Sequence, residues 1–369
     1  MLRALQTWPN QGAPENAPAW LFRVAHNAAI DAVRRERIGG KKSAELAAVL
    51  SQSAEITPGD PNVEEQLRDD ELRLVFMCCH PAISRDARIV LSLKIAGGFN
   101  VREIARAFLA ADEAIAQRLV RARRQIRDQY LTLEMPHGTE LTERLDSVTE
   151  VIYFMFNEGY AAHEGEDLIR TDLCFEALRL GHLIATSSIA VPRVHALMAL
   201  MALQAARLPA RTDEAGDLVL LEDQDRTRWD QQLIAIGFHH FDRSIAGGEV
   251  SEYHVQAAIA AAHVRDPVDW PMILDLYDQL FAMNASPVVA LNRAVAIARV
   301  RGAAEALASI EKLQLPGYYL LLAVRGHLLL DLGRRAEAIA CFNEALECRC
   351  SEPERRFLRR KIASGCGSG

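Results

Sequence analysis

Aromatic side chains are scarce, at 6% of the 369 residues, while alanine and leucine abound, a balance that favours helices. Long hydrophobic runs are missing too. No stretch approaches the roughly 18 apolar residues needed to span a bilayer, and the N-terminus lacks the order of charged, apolar and small residues that marks a signal peptide. These absences argue against a membrane or secreted protein and lead us to expect a cytoplasmic one. Paired C-x-x-C spacing is absent as well. The seven cysteines are an odd number with no secretory marker, so reduced thiols are expected rather than disulfides. Cys78, Cys79 and His80 are contiguous, and side chains of adjacent helical residues point about 100° apart, which suits core thiols better than a metal site. No metal or cofactor is expected.

What is present is unevenly spread. The net charge is -7, yet residues 1–130 carry 19 Lys and Arg against 16 Asp and Glu, leaving 23 against 33 for residues 131–369. Within the front part, residues 20–42 and 101–127 each hold an excess of four positive charges. Clustered cations matter more than total charge for binding a polyanion.

Residues 9–18, PNQGAPENAP, are too rich in proline for regular structure and lead into a helix from Ala19. Its apolar positions Leu21, Val24, Ala25, Ala28, Ala29, Ala32 and Val33 recur every three or four residues, and Gly39-Gly40 end it. Trp20 and Phe22 offer stacking surfaces, Asn27 a base-edge partner, and Arg34, Arg35 and Arg37 phosphate contacts. A Trp at a helix start also suits a core aromatic. Residues 41–62 read as a linker.

Four short helices are expected over residues 63–130. Ser84 is placed to cap the second, Gly97-Gly98 to stop it, and Asn100 with Glu103 to form a capping box. After a tight turn at residues 109–112, Asp112 is expected to cap a helix with the inward stripe Ile115, Leu119, Ala122 and Ile126. Gln117, Arg118, Arg121, Arg124 and Gln125 fall on its other face. A short helix, a turn and a helix with basic and amide side chains outward is the helix-turn-helix pattern, in which Arg reads guanine and Gln reads adenine. The plainer alternative is a helical hairpin with a solvated charged face.

The segments LRALQTW, AWLFRVAHNAAIDAVRRER and FMCCHPAISRDARIVLSLKIAGGFNVREIARAFLAADEAIAQRLVRARRQIR together resemble the two DNA-binding domains of an extracytoplasmic-function RNA polymerase sigma factor. LIRTDLCFEALRL, LVLLEDQDRTRWD and SPVVALNRAVA are similar to the C-terminal extension of the subgroup with tetratricopeptide-like repeats. The resemblance implies core RNA polymerase and promoter DNA, double-stranded and melted, as partners, and no enzymatic activity. It implies that Trp20, Asn27, Arg34, Arg35 and Arg37 meet the melted minus-10 element. Ala116, Gln117, Val120 and Arg121 would face the minus-35 element, Arg124 belongs to the same DNA-binding set, and Arg102 and Arg118 are better placed for phosphates. It further implies residues upstream of MLRALQTW that complete the first domain, so residues 1–40 are expected to be a partial one.

Beyond residue 131 no strand signal appears, and the expected fold is all-α. Residues 141–250 read as long buried helices, LDSVTEVIYFMFNEGYAA and PRVHALMALMALQAAR among them. Two polar islands interrupt them: Asn157-Glu158-Gly159-Tyr160, and Glu222-Asp223-Gln224-Asp225-Arg226 with Trp229 beyond. Paired carboxylates near an arginine do acid–base or metal chemistry in some proteins, but these lack a spaced His or nucleophile and read as caps and interdomain ion pairs. His239-His240 reads as surface or satisfied core. Over residues 253–363 helical repeats are expected, because a slide of 32 positions sets Ala294 on Gly326, Ala306 on Ala338 and Ile310 on Phe342. Gly302 and Gly333 mark the turns, and Ala345 completes the small-residue pattern. Such repeats present a concave face for a peptide, a protein or the chain's own sigma domains. Two other readings stay open: a repeat-based adaptor whose front part no longer drives transcription, and an enzyme centred on Glu158, Asp223 and Asp225.

Overall fold

A computed structural model describes residues 69–366, except residue 132 and residues 161–168. The expected helix over residues 19–37 with Trp20, Asn27, Arg34, Arg35 and Arg37, and the linker at 41–62, lie outside the described residues. Within them there are fifteen α-helices, three short 3-10 segments and no β-strand, so the fold is all-α. No described helix is long and apolar enough to cross a membrane.

The first four helices are α1 (Asp70–Cys78), α2 (Arg85–Ile95), α3 (Val101–Ala107) and α4 (Asp112–Asp128). Local signals account for most of their ends. Asp69 accepts from the Leu72 amide at 3.0 Å and starts α1. Asn100 and Glu103 form both bonds of a capping box, at 2.9 and 2.6 Å, and start α3. One expectation is met in part and one needs correction. Ser84 is the N-cap residue of α2, in extended conformation, but its side chain makes no cap bond. Ala111, not Asp112, is the N-cap of α4, and Asp112 is the first helical residue. The turn between α3 and α4 puts Leu109 at φ 48, and the Ala110 amide bonds back to the Ala105 carbonyl at 2.8 Å.

Helices α5 (Thr139–Tyr160), α6 (Thr171–Ala185), α7 (Pro192–Ala205) and α8 (Gln231–Ser244) follow. Helix α7 is buried nearly all round, from Val194 to Leu203, as its uniformly apolar sequence requires. Helix α5 is the spine, touching α1, α2 and α3 as well as α6 and α7.

The rest stacks in pairs: α9 (Glu252–Val264) with α10 (Trp270–Met283), α11 (Pro287–Arg301) with α12 (Ala303–Ser309), and α13 (Tyr319–Asp331) with α14 (Arg335–Glu347). Helix α15 (Glu352–Cys366) covers the end, with Leu358 fully buried against α14. The repeat residues sit where the pattern puts them. Ala294, Ala306, Ala338 and Ala345 are wholly buried, and Phe342 fills the gap over Gly326, where a Cβ would stand 2.5 Å from the ring. Gly302 and Gly333 turn the chain at φ 94 and 73. The two copies are unequal in one respect: α12 has 7 residues and α14 has 13.

Candidate nucleic-acid interface

Helices α3 and α4 pack through Ile104 and Ala105 on one side and Ile115, Leu119 and Ala122 on the other, all buried. Ile126, the last member of the expected stripe, is half-buried. This packing turns Ala116, Gln117, Val120, Arg121 and Arg124 outward, and all five are exposed, Val120 at 64%.

The cations of this surface differ in what holds them. Arg121 bonds weakly to its own helix, at 3.4 Å from the Gln117 carbonyl, and has no carboxylate partner among the described residues. Arg124 pairs with Asp128 at 3.1 Å across one turn. Arg118 is less available than its place in the sequence suggests. It is half-buried, 3.5 Å from Asp86, and its guanidinium lies over the Phe108 ring. Arg102 is exposed and lies 3.7 Å from Asp112, which Arg349 approaches to 3.6 Å from the loop after α14. Gln125 does not face outward: its amide donates to the Ala82 carbonyl at 2.6 Å, tying α4 to the loop before α2.

The opposite side of this unit is held by α5 and α6. Arg106 of α3 pairs with Glu158 of α5 at 3.1 Å, with 11% and 2% of the two side chains exposed. Burial pushes the Glu158 carboxyl up to about 7 against the pull of Arg106. Glu103 meets Arg170 at 2.8 Å, Arg85 meets Glu150 at 2.6 Å, and Asp69 meets Arg179 at 2.6 Å. Phe108 stacks on Phe154 with centroids 4.8 Å apart. Glu158 of the first polar island therefore ties α5 to α3. The island's glycine allows the close approach of α5 to α6, since a Cβ on Gly159 would stand 2.8 Å from the Cys174 nitrogen.

In the second island, Glu222 pairs with Arg299, and Asp225 caps the 3-10 segment Arg226–Arg228 through the Thr227 amide at 2.9 Å. Among the described residues no group of three or more His, Cys, Asp or Glu is arranged to hold a metal ion. His239-His240 was expected at the surface or in satisfied core, and His240 is core: its Nδ1 lies 2.9 Å from Nδ1 of His195, both rings buried. Burial pulls His195 and His182 down to about 4 and His240 to about 2, with neighbouring positive groups adding to the shift at His195 and His240.

Residues 144–245 match the profile of a family of unknown function, DUF6596. An uncharacterized protein of Rhizobium meliloti (strain 1021) is 39% identical over 368 residues, covering 98% of this chain and 87% of the relative. No solved structure matches.

Proposed function

The chain belongs to the same family as the Rhizobium meliloti protein, and we propose that it is an RNA polymerase sigma factor of the extracytoplasmic-function class. In this reading α4 enters the major groove of the minus-35 element. Gln117 and Arg121 read base edges, Ala116 and Val120 make apolar contact, and Arg102, Arg118 and Arg124 meet phosphates. In the same reading the segment over residues 19–37 meets the melted minus-10 element through Trp20, Asn27, Arg34, Arg35 and Arg37. Core RNA polymerase is the protein partner.

The observation that carries the reading is the exposed face of α4, which combines an uncompensated Arg121, an amide at Gln117 and an unpartnered apolar Val120 on one surface. Under the same reading, the C-terminal extension regulates promoter access by holding α1, α2 and α3 from behind, through the Arg106–Glu158 and Phe108–Phe154 contacts.

The test is selection of DNA fragments by full-length protein with core polymerase. A shared upstream motif among the retained fragments, with retention reduced in Arg121→Ala, is the expected result. Retention without sequence preference, unchanged by Arg121→Ala, refutes the reading.

A further inference from the structure

Residues 206–230 join α7 to α8 with no helix other than three short 3-10 segments. Connections longer than about 12–15 residues are uncommon in compact folds and mostly serve a function. Both ends of this one are anchored. Leu208 and Ala210 are buried just after α7, Trp229 is 4% exposed, and the Asp230 amide donates to the Ala206 carbonyl at 2.9 Å. Between the anchors the chain runs across the repeats. Asp217 pairs with Arg356 and Arg360 of α15, and Arg356 also donates to the Gly216 carbonyl at 3.3 Å. Glu222 pairs with Arg299 of α11. Arg226 donates to the Val264 and Arg265 carbonyls at the end of α9, both at 3.1 Å.

Positions 217, 222 and 226 thus meet α15, α11 and α9 in turn, so the segment crosses the stack once, from its last helix towards its first. Five residues of extended chain reach about 16–18 Å, enough to pass two helix spacings of about 8–10 Å, as a crossing from α15 over α13 to α11 requires. Helices α9 and α11 are the first of their pairs, and α15 stands where the first helix of a further pair would. The segment therefore follows one face of the stack, the kind of surface that helical repeats use to hold an extended partner. Charge separates the two sides of this contact. Residues 213–225, DEAGDLVLLEDQD, hold six carboxylates and no Lys or Arg. The face supplies Arg299, Arg356 and Arg360, none of which pairs with any other carboxylate among the described residues. The apolar run 218–221 lies half-buried between the two sets of ion pairs. The hold is a light one: the Arg299 and Glu222 side chains are each 42% exposed, and ion pairs so exposed contribute little.

We propose that the face formed by α9, α11 and α15 docks an acidic, extended segment of a partner protein, and that residues 213–225 are its built-in occupant, which the partner displaces. Arg299, Arg356 and Arg360 take the carboxylates of the incoming segment, and apolar side chains between them take the place of residues 218–221. Because the strap is tethered at both ends, it competes at an effective concentration on the order of millimolar, so a free peptide of the same sequence gains little on the parent chain. This surface lies in the extension and is separate from the exposed face of α4.

The test uses the full-length chain without DNA or polymerase, so its failure leaves the sigma-factor reading untouched. The probe is a fluorescein-labelled peptide copying residues 213–225, followed by fluorescence anisotropy. Asp217→Asn with Glu222→Gln loosens the strap and leaves its apolar run in place. The expected result is that the peptide binds this loosened chain about tenfold or more tightly than it binds the parent. A peptide that itself carries Asp217→Asn and Glu222→Gln should lose that gain, and so should a loosened chain that also carries Arg356→Gln and Arg360→Gln. Equal affinity for parent and loosened chains overturns the proposal. So does a gain that survives in the neutralised peptide or in the arginine variant, or one that a short single-stranded oligonucleotide shows equally, which would mark the arginines as a general anion surface. If the double variant fails to fold, Glu222→Gln decides alone, with about a threefold gain expected.

Discussion

Replacing Gly326 by alanine separates intrinsic helix preference from packing. In the middle of α13 the exchange should add about 1 kcal/mol of stability by propensity. In this fold the new Cβ would stand 2.5, 2.8 and 2.9 Å from Cε1, Cζ and Cδ1 of Phe342. Carbon atoms rest about 3.5–4.0 Å apart, so the ring would have to withdraw by about 1 Å. It has nowhere to go: Phe342 is 1% exposed and shares its cluster with Tyr319, Leu329, Ala338, Ala345 and Leu358, all buried. Overpacking of this kind costs about 1–3 kcal/mol, which leaves a net loss of about 1 kcal/mol after the propensity gain. Phe342→Leu should cost about 1–2 kcal/mol alone through the space it opens. With the ring gone, Gly326→Ala should become neutral or stabilising, so the two changes couple by about 1 kcal/mol or more. Urea unfolding of the four proteins, followed by far-UV circular dichroism, measures each term as a midpoint shift at constant slope. A higher midpoint for Gly326→Ala in the parent chain, or an equal shift in both backgrounds, would refute the packing argument.

Other consequences are open to measurement. Arg121→Ala removes an exposed side chain with no ionic partner among the described residues, so it should leave the melting temperature within a degree or so while DNA retention drops roughly five- to hundredfold. Glu158→Ala takes the carboxylate from a site where Arg106 is only 11% exposed, and should destabilise the packing of α3 on α5 by about 3 kcal/mol in urea unfolding. Acid should weaken the protein well before its surface carboxylates titrate. His182, His195, His240 and His263 stay neutral when folded down to about 4 or lower, whereas in the unfolded chain they take up protons below pH ~6.5. The unfolded state therefore binds more protons in that window, and each histidine removes up to about 1.4 kcal/mol per pH unit as pH falls. Glu158, raised to about 7, and Glu150, also raised by burial, act in the opposite direction, but they are two carboxyls against four histidines. Stability measured from pH 7 to 5 should thus fall, and His240→Asn should flatten the decline; a flat profile in the parent chain would exclude this account.

Local chemistry made much of this protein readable from its residues. The capping box at Asn100, the stripe Ile115, Leu119 and Ala122, the uniformly apolar run that became α7 and the small residues of the repeats are signals carried within one or two turns or one repeat length. They depend on backbone geometry that any chain shares. The expectation failed where a side chain had a choice of partner. Asp112 was expected to cap α4 and instead faces Arg102 and Arg349, and Gln125 was grouped with the outward face but reaches the Ala82 carbonyl. Arg118 lies over Phe108 beside Asp86.

The sequence alone thus determined that the described chain is helical and, over residues 84–128, where the helices start and which face of the last is apolar, because these follow from spacing and turn chemistry. Only the tertiary structure decided that Glu158 would meet Arg106 across fifty-two positions, and that Arg207 would donate to the Tyr160 hydroxyl. Contacts between distant segments depend on how whole helices dock, and the spacing of residues along one helix says nothing of that.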